Sequence, residues 1–580
     1  MCGIFGYVGY RSNASKLVFD GLKTLEYRGY DSWGVAVVSE GKIILKKKAG
    51  KIGNANVDDL PDGNLAIGHT RWATHGGVTD INAHPHLDCK GNIAVIHNGI
   101  FENYLEIKRS LIKKGHKFVS ETDTEVIPHL LETIPFRTVF NKMDGLNAVI
   151  AVNAHKEQIF AARNGSPLVV GFGKGENFLA SDVSAILPYT KRVYFLEDNE
   201  LAIIGPKKVD ILNSRTGKKV SPKIQNLTWS VKEGRKGKYE YFMLKEIYEQ
   251  PKIVSDIASN FLSQAKKGAK LIKKAKGTYL VGCGTASYAC LAGEYFFSKI
   301  AKKHVNFSVG SEFGYHLHFL NRESLILALS QSGETMDILE SVKKAKERKA
   351  KIASLVNVFG SSLYRFSDYK MLIGAGPEKA VASTKAFTGM LAHLILLAYN
   401  LANRSCEGQR VLTEAVKSMK EVLSPKVVKK IIALAQKIVS KRHIYVIGRG
   451  ISYPTSLETA LKIKEISYIH AEGLAAGELK HGPLALIEKG TPCIAFLPND
   501  ETYGANLAGA MEMKARGGFV IGISFKFHEV FDYYIPVKDA KEATIIPNIV
   551  VAQLLAYYLA VKKGLDPDKP RNLAKSVTVK

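Results

Sequence analysis

Short runs in which apolar residues alternate with polar or small ones fill the first 238 residues. Gly34-Val-Ala-Val-Val, Leu65-Ala-Ile-Gly and Ile93-Ala-Val-Ile each predict a strand. From Asn103 to Lys114 the apolar positions fall at helical spacing, so a helix follows the third of these strands. The segment reads as a mixed α/β domain. The charged stretch Val231 to Glu240 then reads as a linker. It leads into a helix over Met243 to Gln250 that Pro251 punctuates.

Beyond the linker the pattern repeats. Tyr279-Leu-Val-Gly-Cys-Gly-Thr-Ala-Ser-Tyr resembles Tyr445-Val-Ile-Gly-Arg-Gly-Ile-Ser-Tyr, and Gly282 and Gly284 recur as Gly448 and Gly450. Apolar runs Ser324 to Leu329 and Ile352 to Val356 recur as Pro492 to Leu497 and Phe519 to Ile523. Strand, glycine turn, helix, strand is the unit of a doubly wound parallel sheet, so two such domains in tandem are expected. The predicted divisions are 2–238, 239–424, 425–565 and a C-terminal tail, 566–580.

Composition changes this picture little. The 580 residues are 46% hydrophobic and 23% charged, as in globular proteins. The net charge of +27 is high, but the cations are scattered, and runs such as Lys46-Lys47-Lys48 are short. A solvated basic surface that favours anionic substrates is expected, not a nucleic-acid partner. Cys2, Cys89, Cys283, Cys290, Cys406 and Cys493 form no CxxC pair, which argues against disulfides and structural zinc and fits a reducing cytoplasm. No signal peptide is visible. The most apolar stretches, Leu391 to Ala402 and Ile549 to Val561, are short for a bilayer and carry His393, Asn400 and Gln553. They read as buried helices, with no membrane partner.

The candidate chemistry begins at Cys2. Loss of Met1 would place a thiol and a free amine on one residue, and an amine near pKa 8 is a suitable base for the neighbouring thiol. His69-Thr-Arg-Trp-Ala-Thr-His-Gly76 offers a cation and an aromatic ring on a tight turn. His97-Asn98-Gly99 can aim a side-chain amide and a backbone N–H at one oxyanion. Glu121-Thr-Asp-Thr-Glu125 supplies carboxylates. With Met1-Cys-Gly-Ile-Phe-Gly and Leu25-Glu-Tyr-Arg-Gly-Tyr-Asp31, these motifs make the segment resemble the class II, N-terminal-nucleophile glutamine amidotransferases and their αββα fold. The resemblance implies that Cys2 attacks the glutamine amide, and that Asn98 and Gly99 hold the oxyanion. It implies further that Arg71 and Asp123 bind the α-carboxylate and α-ammonium, and that Trp72, Thr74, His75 and, further out, His84 lie beside the site. The spacing of His84 and His86 does not place two imidazoles on one helical face, so neither a metal nor any other cofactor is expected.

In the second half, Ser330-Gln-Ser-Gly-Glu-Thr335 follows an apolar strand. Hydroxyls and free N–H groups on a strand-to-helix turn suit a phosphate, and Cys283-Gly-Thr-Ala-Ser287 and Val381-Ala-Ser-Thr384 add similar turns. Glu458, Lys462 and Glu465 fall on one helical face, which suits proton transfer next to a carbonyl. With Gly477-Glu-Leu-Lys-His-Gly-Pro483 and an apolar terminus expected to be docked, these motifs resemble the tandem sugar-isomerase domains of the isomerising glutamine–fructose-6-phosphate aminotransferases, over essentially the whole chain. By that resemblance Ser330, Gln331, Ser332 and Thr335 bind phosphate near Thr285, and Cys283, Gly284, Val381 and Ala382 line the sugar site. Lys575 forms a Schiff base with the open-chain ketose. His481 reaches in from a neighbouring subunit of a homodimer or larger assembly. Glu465 moves a proton between C1 and C2, supported by Glu458 and Lys462, with Glu378 close. Ammonia passes through a channel gated by Trp72, with Arg28 near the glutamine site. The partners implied are L-glutamine and fructose 6-phosphate.

Departures from the family pattern are Ala286, where a phosphate-facing hydroxyl is either missing or replaced by Ser287, Trp33 at a usually small position near the glutaminase site, Thr459 and Lys580. Other class II amidotransferases need a pyrophosphate-binding domain or an SGGxDS loop, and neither string occurs.

Overall fold

A computed structural model describes residues 2–227 and 236–576. Met1, residues 228–235, which include the first half of the charged linker, and residues 577–580 lie outside the described residues. The chain divides into two compact units, residues 1–233 with 574–580, and residues 234–573.

In the first unit two antiparallel sheets face each other. The eight-stranded sheet has at its centre the neighbours Asn177–Ala180, Gly3–Val8, Leu65–Arg71 and Ser32–Ser39. The six-stranded sheet has Lys156–Asn164, Asn147–Asn153, Ile93–Gly99 and His86–Leu87 in succession. Strand periodicity decides what each face meets. Ala94 and Ile96 join Ile4, Ile67, Ile150 and Ile159 in the core between the sheets. Val95 and Val149 point the other way, under the helices Tyr104–Lys113 and Val126–Leu131. Helix Ala14–Leu25 covers the outer face of the larger sheet. The result is the αββα arrangement expected. Gly3–Val8 is buried along its whole length and lies mid-sheet, which fixes Cys2 at a strand end.

The second unit holds two five-stranded parallel sheets. One runs Asn306–Val309, Gly277–Gly282, Ser324–Ser330, Lys351–Val356, Tyr369–Leu372. The other runs His470–Ala475, His443–Gly448, Pro492–Leu497, Phe519–Ser524, Tyr533–Pro536. The spatial order is the same in both, so the repeat read from the glycine turns is a repeat of topology. One continuous core joins the halves, with helices Lys385–Leu401 and Ile545–Lys562 inside it.

Three expectations need correction. The helix at the linker does not end at Pro251; it runs Phe242–Asn260 with the proline inside. Pro251 has no N–H for the carbonyl of Ile247, but the Gln250 side chain donates Nε2–H to that carbonyl at 3.1 Å. The bond a proline normally deletes is replaced from the neighbouring side chain, and the helix continues. Second, Ile549 to Val561 is part of a longer helical run, Lys541–Lys562, whose 22 residues are long and apolar enough to cross a bilayer. Its apolar stretch is 89% buried within the unit, so it is a core helix. Third, residues 566–573 are no separate tail. The Asp568 carboxylate accepts from the backbone N–H groups of Phe242 and Met243, each at 2.8 Å, capping the helix after the linker.

Candidate active sites

The sheet ends of the first unit bring Cys2, Arg71, Trp72, Thr74, His75, His84, Asn98, Gly99 and Asp123 around one cavity. The Cys2 sulfur accepts the Trp72 N–H at 3.2 Å. Burial raises the Cys2 thiol above its usual value, against the pull of the Trp72 N–H and of Arg71. Asn98 donates Nδ2–H to the Cys2 carbonyl at 2.9 Å. Gly99 sits at φ +129, and a Cβ there would come within 2.0 Å of the Leu146 carbonyl oxygen, so only glycine fits. Asp123 accepts the Phe101 N–H at 2.8 Å on one carboxylate oxygen. The buried Arg71 guanidinium donates to the carbonyls of His75, Gly76 and Gly77, which holds this turn against the pocket.

His69, His84, His86 and His97 are buried in this region. His69 stacks on His84 at 4.3 Å between ring centres. Burial lowers His69 to about 3 and His84 well below its ordinary value, so both rings are neutral. His97 contacts Thr124 Oγ1 at 3.0 Å and Asn147 Oδ1 at 2.8 Å, bracing the strand that carries Asn98. Two expected neighbours are not among the residues lining this cavity. Trp33 is buried against Phe19, 5.2 Å between ring centres, and fills core space instead of lining the pocket. Arg28 is buried in an ion pair with Asp182 at 2.9 Å.

In the second unit, helix Ser452–Ser467 carries Glu458 and Lys462, both fully buried, and Glu465 at the rim. Lys462 Nζ lies 3.5 Å from Glu458 Oε1 and in contact with Glu465 Oε2. Burial pushes the Glu458 carboxyl well above the carboxylate range, with Lys462 opposing. Burial by itself would lower Lys462, but the flanking carboxylates outweigh it and hold the ammonium protonated. Thr285 joins them from the other half of the repeat. Its hydroxyl accepts from Lys462 at 3.1 Å and donates to Glu458 at 3.2 Å. Thr285, expected near the phosphate, touches Glu458 and Lys462 of this cluster. The side-chain reading missed that link because it crosses 173 residues.

The hydroxyl loop is built as a strand-to-helix turn. Ser330 ends its strand, and its Oγ accepts the Gly333 N–H at 3.0 Å and lies 3.0 Å from Thr335 Oγ1, just before helix Met336–Glu347. Ser332 accepts the Glu334 N–H at 3.1 Å, and Gln331 and Ser332 are half-buried at the turn. Ser287 turns its hydroxyl inward to the Gly284 carbonyl at 2.7 Å, so it does not take over from Ala286. Cys283 packs against Gly310, where a Cβ would lie 2.6 Å from its sulfur. Glu378 caps helix Lys385–Leu401, accepting from the N–H groups of Thr384 at 2.9 Å and Ala386 at 3.0 Å. Val381 and Ala382 are buried in that same turn. His481 is exposed, at the end of the short turn Glu478–His481. Lys575 lies in the segment grouped with the first unit.

Comparison with known proteins follows this geometry. A family model described as a glutamine amidotransferase domain matches residues 69–188, and one described as an SIS domain matches 271–399 and 437–562. A glutamine–fructose-6-phosphate aminotransferase [isomerizing] from Pyrococcus horikoshii is 46% identical, with all of both chains covered. The chain belongs to the isomerising glutamine–fructose-6-phosphate aminotransferases. Family members from Caldanaerobacter subterraneus and Aquifex aeolicus are each 42% identical over the full length of both chains. Among solved structures, the C-terminal domain of glucosamine-fructose-6-phosphate aminotransferase from Francisella tularensis covers 58% of this chain and 100% of that one, at 34% identity and TM-score 0.55. Within the family frame, the residue the motifs left without a role is His69, which holds the side chain of Asn98.

Proposed function

We propose that this chain transfers the amide nitrogen of glutamine to fructose 6-phosphate, giving glucosamine 6-phosphate and glutamate. The observation that carries the reading is one chain holding both a half-buried thiol beside an amide donor and a hydroxyl-rich turn in the same unit as a Glu–Lys–Glu cluster with Glu458 and Lys462 buried. The Cys2 thiolate attacks the glutamine amide carbon. Asn98 and Gly99 face the oxyanion, ammonia leaves, and water cleaves the thioester to glutamate. Arg71 and Asp123 supply charges of the two signs needed by the α-carboxylate and α-ammonium of glutamine.

In the isomerase unit, Ser330, Ser332 and Thr335 at a helix N-terminus hold the sugar phosphate. Lys575 adds to C2 of the open-chain ketose with loss of water, and ammonia then displaces the lysine amine to leave the free C2 imine. Glu465 then carries a proton from C1 to C2, which converts the C2 imine and C1 alcohol into an amine and an aldehyde. Lys462 and Glu458 set its electrostatics, and Lys575 is the Schiff-base lysine. The exposure of His481 supports its use by a second copy of the chain, so the working form is at least a dimer. All six cysteines are free, which supports a cytoplasmic setting. The test is incubation of the purified chain with glutamine and fructose 6-phosphate. Glucosamine 6-phosphate and glutamate should appear in equal amounts, and glutamate without the amino sugar would refute the reading.

A further inference from the structure

Outside both sites, a second cysteine stands in a cluster that the proposed reaction does not use. Cys89 Sγ, one ring nitrogen each of His116 and His129, and a carboxylate oxygen of Glu132 all lie within 4.8 Å of one another. The sulfur is 3.6 Å from His116 Nδ1 and 3.3 Å from His129 Nδ1. Glu132 Oε1 is 3.3 Å from His116 Nδ1 and 3.2 Å from His129 Nδ1. We infer that Cys89, His116, His129 and Glu132 form a structural zinc site.

The distances carry the argument. Zinc binds thiolate at about 2.3 Å, imidazole at about 2.0–2.1 Å and carboxylate at about 2.0–2.2 Å, so the edges of a tetrahedral site are about 3.3–3.6 Å. The four measured edges fall close to that range before any ion is placed. Protons alone fit the cluster less well. Each imidazole Nδ1 carries at most one hydrogen, yet each faces both the sulfur and the carboxylate oxygen, while Glu132 Oε1 also accepts the Cys89 N–H at 3.0 Å. One thiolate and one carboxylate neutralise a divalent cation. The mixture of sulfur and nitrogen ligands selects zinc over magnesium or calcium.

The surroundings match a built site. His129 is buried, and its other ring nitrogen lies 3.8 Å from Glu125 Oε1. That separation is longer than a hydrogen bond, so the carboxylate acts on the ring through its charge. Glu125 in turn accepts the N–H groups of Val119 at 2.8 Å and Ser120 at 2.7 Å. The ligands come from three segments: the loop after strand His86–Leu87, the turn after helix Tyr104–Lys113, and the end of helix Val126–Leu131. The ion would staple these together around the stretch that carries Asp123 into the Cys2 pocket. The absence of a CxxC signature led the sequence reading away from zinc. The ligand spacing of 27, 13 and 3 residues matches no short motif, because the site is assembled from separated segments.

The test uses the untagged full-length chain, equilibrated with zinc and then dialysed. Metal analysis should give about one zinc per chain, falling about tenfold in Cys89→Ser and in His116→Ala. Cobalt substitution should give the absorption of a tetrahedral site with a thiolate ligand, absent in Cys89→Ser. A chelator should lower the melting temperature of the wild-type chain but not that of Cys89→Ser. A wild-type chain that retains no zinc, or Cys89→Ser retaining as much as wild type, overturns the assignment. Neither result depends on whether the chain makes glucosamine 6-phosphate.

Discussion

His69 donates its Nε2–H to Oδ1 of Asn98 at 3.0 Å. The same N–H lies 3.1 Å from the His97 carbonyl, also an acceptor, so the neutral Nε2–H tautomer is required. That one bond settles which way the Asn98 amide points. With its oxygen held by His69, its NH2 must face Cys2.

Removing His69 should therefore damage catalysis without emptying the pocket. His69→Ala frees the Asn98 amide to turn, and loss of an oxyanion donor costs about 10²–10³ in kcat. We expect glutaminase kcat to fall by about 10–100-fold, since the donor is misdirected and not deleted. The KM for glutamine should stay within about threefold, because the groups proposed to hold its charged ends remain. Glutamate release under saturating glutamine is the measurement, and a change confined to KM would refute the assignment.

Lys462 lies between two carboxylates in a dry interior. Lys462→Met leaves Glu458 and Glu465 facing each other without a cation. Breaking a buried ion pair from one side costs about 3–5 kcal/mol. Unfolding of the second unit should shift accordingly, while glutamate release by the first unit continues. Thr285→Val should abolish or strongly reduce amino-sugar formation with a smaller loss of stability, because both carboxylates keep their lysine.

Acid should loosen both units through their buried histidines. Burial depresses His393 to about 4 in the second unit and His69 to about 3 in the first. Each is near 6.5 when unfolded, so the neutral form is favoured by folding. The associated stability is complete above about pH 6.5 and is lost as pH falls toward the folded value. The melting temperature should decline between pH 6.5 and 5, and His393→Gln, which can still donate to the Ile373 carbonyl, should decline less steeply over that window.

Gln250 and Pro251 should behave as a pair. Gln250→Leu leaves the Ile247 carbonyl without its donor and should cost about 1–3 kcal/mol. In the Pro251→Ala background the restored N–H can serve that carbonyl, so the same Gln250 change should cost less. Equal costs in the two backgrounds, measured by denaturant unfolding, would sink the explanation.

Much of this was readable from the chain because it is local. Gly282 with Gly284, and Gly448 with Gly450, mark strand-to-helix turns. Their equal spacing announces two sheets of one topology. Cys2, Asn98, Gly99 and Asp123 lie in motifs whose order alone identifies the first unit. What escaped was non-local. Pro251 reads as a stop unless the side chain that replaces its hydrogen bond is seen. Trp33 looks like an intrusion into the pocket until Phe19 is found against it. Thr285 looks like another loop hydroxyl until helix Ser452–Ser467 is laid beside it.

The Thr285 bridge also bears on how an internal duplication keeps its halves together. The first copy carries the hydroxyl turn Ser330 to Thr335. At the matching turn the second copy carries Asp500 and Glu501, with Asp500 accepting from the Thr502 N–H at 2.8 Å and Glu501 paired to Lys299 at 2.9 Å. Two carboxylates at that turn repel a phosphate. The second copy instead supplies Glu458, Lys462 and Glu465, and the proposed reaction needs these together with a phosphate held by the first. Duplication here has divided a single job between unlike twins, and neither half can drift or be inherited separately without stranding the other.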